Sequence, residues 1–113
     1  MRYMLLHHGD ENLALSPEED AQVQHQLAMW IEEMVGRGVI VHGDRLRPTA
    51  ETTSVRVRDE EIVVFDGPFA ETKEQMGGYD IIEVASLDEA IEVASKHPVA
   101  RLGTVEVRAF WPL

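Results

Sequence analysis

The sequence predicts an α+β fold, and three observations carry that prediction. Two helix-start signatures, Ser16-Pro17-Glu18-Glu19 and Ser86-Leu87-Asp88-Glu89, each open a run with helical apolar spacing. Each run sits between two short apolar segments suited to strands, 2–8 and 39–46 around the first, 79–85 and 104–110 around the second. Between these halves, 54–58 and 61–65 alternate about Asp59-Glu60 and read as a β-hairpin. The order β-α-β, hairpin, β-α-β in one domain (1–113) is that of a ferredoxin-like sandwich, an antiparallel sheet with two helices on one face.

The first strand, 2–8, is broken by Gly9-Asp10-Glu11-Asn12. His7 and His8 point to opposite faces of it, so they make no chelating pair and read as incidental. Ser16 caps the first helix, Pro17 suits its first turn, and Glu19 completes a capping box. Val23, Leu27, Trp30, Ile31 and Met34 form its apolar stripe, and Gly36 or Gly38 ends it. At about 100° per residue, His25 lies opposite that stripe. It is either a solvated polar residue or a catalytic imidazole facing a partner subunit.

The second strand, 39–46, carries His42 and Asp44 on one face. They form either a ligand-holding, proton-donating pair or a plain hydrogen-bonded one. In the hairpin, Val55 and Val57 face one way and Arg56 and Arg58 the other. The segment 66–78 then fits neither period, and a loop of that length in a small domain is either functional or mobile. Gly67-Pro68 makes a tight turn, and Gly77-Gly78 permits unusual backbone angles or close approach. Asp66 follows an apolar strand end, where partial burial would suit it to acid–base work. Glu71, Thr72, Lys73 and Tyr79 add ligand-binding groups. The structural alternative is that Asp66 caps the turn, Lys73 neutralises it, and the loop seals the sheet or a dimer.

In the second half, Leu87, Ala90, Ile91 and Ala94 give the buried stripe of the second helix, which His97-Pro98 ends. Gly103 precedes the last strand and Trp111-Pro112 stops it. Apolar residues occupy both strand phases. Tyr3, Leu5, Val55, Val57, Ile81, Val105 and Val107 form one set; Met4, Leu6, Ile40, Ile82, Val84 and Phe110 form the other. Two helices cover one sheet face, so the second is expected to pack on another copy. The predicted assembly is a sheet-to-sheet homodimer with a polar-lined cavity, open to a small-molecule ligand.

Composition narrows the function. With 21 acidic and 10 basic residues, the chain's net charge of −11 repels phosphate backbones and anionic lipid, so no nucleic-acid or membrane partner is expected. No apolar run approaches the roughly 20 residues of a membrane span, and the N-terminus lacks the features of a signal peptide. The absence of cysteine removes thiol chemistry and suits a cytoplasmic location. No dinucleotide-binding glycine pattern follows a strand, and no metal-ligand spacing stands out among the five histidines. Neither a cofactor nor a metal is predicted.

Asp66-Gly67-Pro68-Phe69-Ala70-Glu71-Thr72-Lys73-Glu74-Gln75-Met76-Gly77-Gly78 has a more specific meaning. Together with Met1-Arg2-Tyr3-Met4-Leu5-Leu6, Leu46-Arg47-Pro48 and Gly103-Thr104-Val105-Glu106-Val107-Arg108, it resembles the DGPF-motif branch of the YCII-related proteins across essentially the whole chain. The resemblance implies a ferredoxin-like fold of the dimeric α+β barrel kind, in bacterial proteins often encoded beside extracytoplasmic-function sigma factors. It also implies a superfamily hosting isomerases, lyases and oxygenases. The wider group is proposed to hold a His–Asp active-site pair, whose pattern does not map residue by residue onto His25 and Asp66. Three functions follow: an isomerase or lyase using Asp66 with His42 or His25; a ligand-binding or regulatory module contacting a sigma factor; or a structural dimer without ligand.

Overall fold

In the computed structural model, which describes residues 1–112, the expected order of elements is present with two short additions, a 3-10 turn at Thr49–Glu51 after the second strand and a third helix. β1 (Arg2–Gly9), α1 (Pro17–Gly36) and β2 (Ile40–Arg45) form the first half. The hairpin β3 (Thr53–Arg58) and β4 (Glu61–Asp66) follows, then β5 (Gln75–Glu83), α2 (Leu87–Ser95), the added short helix α3 (Val99–Leu102) and β6 (Thr104–Ala109). The main sheet runs β2-β5-β1-β6 with every neighbouring pair antiparallel. Both β-α-β halves thus interleave into one sheet, as the ferredoxin-like arrangement requires.

The helix starts form as their sequences dictate. Ser16 Oγ accepts from the Glu19 N–H and the Glu19 carboxylate accepts from the Ser16 N–H. At α2, Ser86 Oγ accepts from the Glu89 N–H, but Glu89 reaches one residue further back, to the Ala85 N–H. The buried stripe of α2 is Ala90, Val93 and Ala94, whereas Leu87 and Ile91 are half exposed. The rotation has a visible cause. Trp30 Nε1 donates to the Val93 carbonyl oxygen at 2.9 Å, tying that face of α2 to α1.

The core lies between the helices and one sheet face, built from Tyr3, Leu5, Trp30, Met34, Val39, Ile82, Val84, Ala90, Val93 and Ala94. Cross-strand register pairs Tyr3 with Ile82 and Leu5 with Val107. Ile82, not Ile81, therefore joins Tyr3 and Leu5 on the covered face. Met4, Leu6 and Ile81 fall on the opposite face and stay partly exposed.

Two boundaries differ from expectation. β5 begins at Gln75 rather than Tyr79, because β1 is long enough to pair its end, His7–Gly9, with 75–78. A bulge between His7 and His8 absorbs Gly77. Gly77 and Gly78 are therefore ladder residues rather than loop hinges. Gly67, by contrast, has φ +93, a conformation only glycine adopts without strain. Gly67 is tied to the segment that enters the hairpin, and the loop after it has a bond of its own. The Gly67 N–H donates to Thr52 O, Ser54 Oγ donates to Gly67 O, and Thr72 Oγ1 donates to Glu74 O.

The hairpin forms a separate two-stranded sheet whose turn residues, Asp59 and Glu60, have φ of 50° and 66°. Those angles match the twist that two-residue hairpin loops need. Val55 pairs with Val64 and Val57 with Ile62, giving one apolar face whose members are 57–73% exposed. The hairpin extends the molecule: the radius of gyration is 16.2 Å, against about 13 Å for a compact chain of this length.

Candidate functional site

A cavity of about 490 Å³ opens between α1 and the β2-β5-β1 portion of the sheet. Val23, Leu27, Trp30 and Ile31 of α1 supply its apolar wall. Its polar floor comes from three strands: His7 of β1, Gly78 and Asp80 of β5, and Gly43 and Arg45 of β2. The volume falls in the range of small-molecule sites, about 300–1,000 Å³.

The shortest polar contact in the floor joins His7 Nε2 to Asp80 Oδ2 at 2.7 Å, with the side chains 8% and 16% exposed. Strand alternation places His7 two steps beyond Leu5 on the covered face, and Asp80 two steps from Ile82. Gly43, opposite Asp80 in the ladder, makes room for the carboxylate. A Cβ there would lie 1.9 Å from Asp80 Oδ1 and 2.9 Å from the Tyr79 carbonyl oxygen. Asp80 Oδ1 accepts no hydrogen bond from the described residues.

His97 completes the cluster. Its ring stacks on His7 at 4.0 Å between centroids, tilted by 17°, and meets the edge of Trp30 at 4.7 Å. The Val99 N–H donates to His97 Nδ1 at 3.1 Å, so this nitrogen bears no proton. Burial, reinforced by the neighbouring His7, pushes the His97 imidazole down to about 3. His97 is thus a neutral ring at physiological pH, a packing surface for His7 that adds no charge to it. The short helix α3 creates this arrangement by supplying the Val99 N–H just beyond Pro98.

Candidate metal ligands on His7, Asp80 and His97 lie within 4.8 Å of one another. Their orientation does not fit an ion. Imidazole lone pairs lie in the ring plane, and two nearly parallel rings 4.0 Å apart cannot both aim at one metal about 2.1 Å away. His97 Nδ1 and His7 Nε2 are also already engaged by Val99 and Asp80. As folded, the cluster is a hydrogen-bonded pair with a stacked support.

The residues singled out from sequence are dispersed. Asp44 and Tyr79 line the cavity. His42 lies 3.4 Å from Asp44 on the exposed side of β2, with its ring 5.7 Å from Tyr79. Asp66 is exposed at the end of β4, and Glu71, Thr72 and Lys73 are exposed in the following loop, all outside the cavity lining. His25 is exposed on α1 and likewise outside it. Asp66, His42 and Lys73 therefore do not converge within one chain. The signal that pointed to the floor was present in Tyr3-Met4-Leu5-Leu6-His7, where His7 continues a buried strand phase. A second signal was Asp80 inside the apolar run of β5.

The family profile of the YCII-related domain matches residues 1–113. An uncharacterized protein of Rhizobium meliloti (strain 1021) is 40% identical over 112 aligned positions, covering 96% of this chain and 90% of the relative. Among solved structures, 5-chloro-2-hydroxyhydroquinone dehydrochlorinase (TftG) from Burkholderia phenoliruptrix AC1100, in complex with 2,5-dihydroxybenzoquinone, superimposes with a TM-score of 0.56. That similarity covers 98% of this chain and 94% of the other at 14% identity, which speaks to the fold.

Proposed function

Because the chain belongs to the YCII-related family, whose profile it fills from end to end, we propose that it is a small-molecule proton-transfer enzyme of isomerase or lyase type. The observation that carries this reading is the 2.7 Å His7–Asp80 pair at the floor of an apolar-walled cavity. Asp80 Oδ2 is held by His7, while Oδ1 is left to receive a proton from a carbon made acidic by an adjacent carbonyl. His7 keeps the carboxylate oriented, and the protonated Asp80 returns the same proton to a neighbouring carbon in an isomerisation or to the departing group in an elimination, the usual division of labour between a base and its orienting partner. His97 and Trp30 hold the imidazole plane from behind. In this reading His7 and Asp80, rather than Asp66 with His42 or His25, supply the acid–base chemistry. Loss of HCl from a hydroxyhydroquinone, the activity named for the structural neighbour, is also a proton-transfer elimination.

The test is solvent-deuterium incorporation into a panel of small cyclic ketones and hydroxyquinones, followed by NMR. The chain should catalyse exchange at a carbon next to a carbonyl. Asp80→Asn should lower the rate by about 10²–10⁴-fold, the typical contribution of a positioned acid or base, with an unchanged melting temperature. Full exchange activity in that variant, or no exchange with any compound of the panel, would sink the proposal.

A homodimer through the open sheet face belongs to the same reading. Met4, Leu6 and Ile81 on that face support it, as does the hairpin's exposed apolar face, since an isolated two-stranded hairpin is marginal in water. Asp66, Glu71, Thr72 and Lys73 sit beside that hairpin, so their contribution runs through the assembled dimer. Neither the fold nor the comparisons adds support for a sigma-factor contact. No helix among the described residues is long and apolar enough to cross a membrane.

A further inference from the structure

We propose that the cavity selects a compact organic anion with an apolar body, anchored by Arg45; this rests on the proton-transfer reading of the same cavity and names its substrate class. The ladder carries the argument. Gly78 pairs with His7 on one side and with Arg45 on the other. One row across three strands therefore reads His7, Gly78, Arg45, with the ends about 10 Å apart from two interstrand spacings. Alternation puts Arg45 on the same face as Gly43 and Asp80. The middle position has no side chain. A Cβ on Gly78 would stand 3.9 Å from His7 Cδ2 and 3.1 Å from the Asp44 carbonyl oxygen, inside this gap. An imidazole and a guanidinium thus flank a bare stretch of backbone.

Among the described residues, Arg45 is the one lysine or arginine lining the cavity. It takes part in no ion pair or side-chain hydrogen bond among the described residues. The acidic groups nearby have other hydrogen-bond partners. Glu11 accepts from the Thr49 N–H at 2.8 Å and from its hydroxyl at 2.6 Å, Asp10 accepts from the Asn12 N–H, Asp44 faces His42, and Asp80 faces His7. A chain of net charge −11 repels anions at long range, so an exposed guanidinium with no ion-pair partner at the cavity's edge is a local exception. Its planar fork matches a carboxylate, phenolate or enolate. Leu27, Trp30 and Ile31 would pack the apolar body. An anion held at Arg45 spans the Gly78 gap and brings its neighbouring carbon to Asp80. The same guanidinium faces the negative charge that develops when that carbon loses its proton.

The test uses benzoate as a probe and benzamide as its neutral, same-shaped control, in ¹H–¹⁵N NMR titrations of the full chain. Benzoate should bind one-to-one and shift the Arg45, Gly78 and His7 amides. Benzamide should bind at least tenfold more weakly. Arg45→Gln should weaken benzoate at least tenfold, and Arg45→Lys should recover part of the loss, both with the wild-type melting temperature. Asp80→Asn should still bind benzoate, which separates anion anchoring from proton transfer. Equal binding of benzoate and benzamide, undiminished binding by Arg45→Gln, shifts mapping away from this row, or no benzoate binding up to its solubility limit would each overturn the assignment.

Discussion

Lowering the pH from 6.5 to 4.5 should destabilise this protein, and the loss should trace to His97. The imidazole titrates near 6.5 in the unfolded chain and is pushed down to about 3 in the fold, chiefly by burial and then by His7. The sign follows from proton counting. Below pH 6.5 the unfolded chain binds a proton at His97 that the folded chain refuses, so stability falls as pH falls. The contribution is fully present above 6.5, declines through the window, and is exhausted near 3. Over the interval from 6.5 to 4.5, a single site with these two values costs about 2 kcal/mol, with a limiting slope of about 1.4 kcal/mol per pH unit. The carboxylates whose fold lowers their titration, Glu11, Glu33, Glu83 and Glu92, start from 4.5. Their contribution begins to fade at the acid end of the window and is lost mainly below it, so the His97 share is read as the difference between the wild type and His97→Gln. Urea unfolding followed by tryptophan fluorescence in a Trp111→Phe background, where Trp30 is the remaining indole, measures the slope at several pH values. Trp30 suits this because its ring meets His97 edge-on at 4.7 Å. In His97→Gln the slope between 6.5 and 4.5 should flatten, whatever the variant's absolute stability. A His97 ring that titrates by NMR near 6.5 in the folded protein, or an unchanged slope in His97→Gln, would refute the reasoning.

Gly43→Ala should displace the Asp80 carboxylate, since the new Cβ would sit 1.9 Å from Oδ1; deuterium exchange should fall at least tenfold, and overpacking should cost about 1–3 kcal/mol in urea unfolding. Trp30→Phe removes the 2.9 Å indole donor to the Val93 carbonyl, which keeps the Lys96 N–H at 3.3 Å, and should cost about 0.5–1.5 kcal/mol, the usual net worth of one hydrogen bond, in urea unfolding. If the proposed homodimer forms through the hairpin, Ile62→Asp, on its most exposed aliphatic position, should shift light-scattering mass from dimer to monomer while far-UV circular dichroism stays constant; an unchanged dimer mass would remove the hairpin from the interface.

Short-range signals explain how much of the fold was legible. Ser16 with Glu19 and Ser86 with Glu89 cap their helices through bonds spanning three residues, so they act wherever the chain goes. The hairpin at Asp59-Glu60 is equally local, because pairing Val57 with Ile62 depends on the turn between them. The DGPF segment named the family, and its Gly67 turn has the backbone angle that glycine permits. Local density of polar groups carried no information about the cavity floor. Glu71, Thr72 and Lys73 crowd one loop, yet the cavity floor draws on strands that lie far apart in the chain.

The sequence by itself determined the order of elements, the two helix starts, the hairpin and the family, because each rests on contacts within a few residues or on a motif read along the chain. The tertiary structure alone decided the site. His7 looked like half of an incidental histidine pair until the β1–β5 register set it 2.7 Å from Asp80, a partner 73 residues away. Gly78 looked like a hinge until the same ladder placed it between His7 and Arg45. His97 looked like the residue that ends a helix until the turn into α3 laid its ring on His7. Interstrand register is a global solution to burying two faces at once, and no local stretch of this chain encodes which histidine will meet which carboxylate.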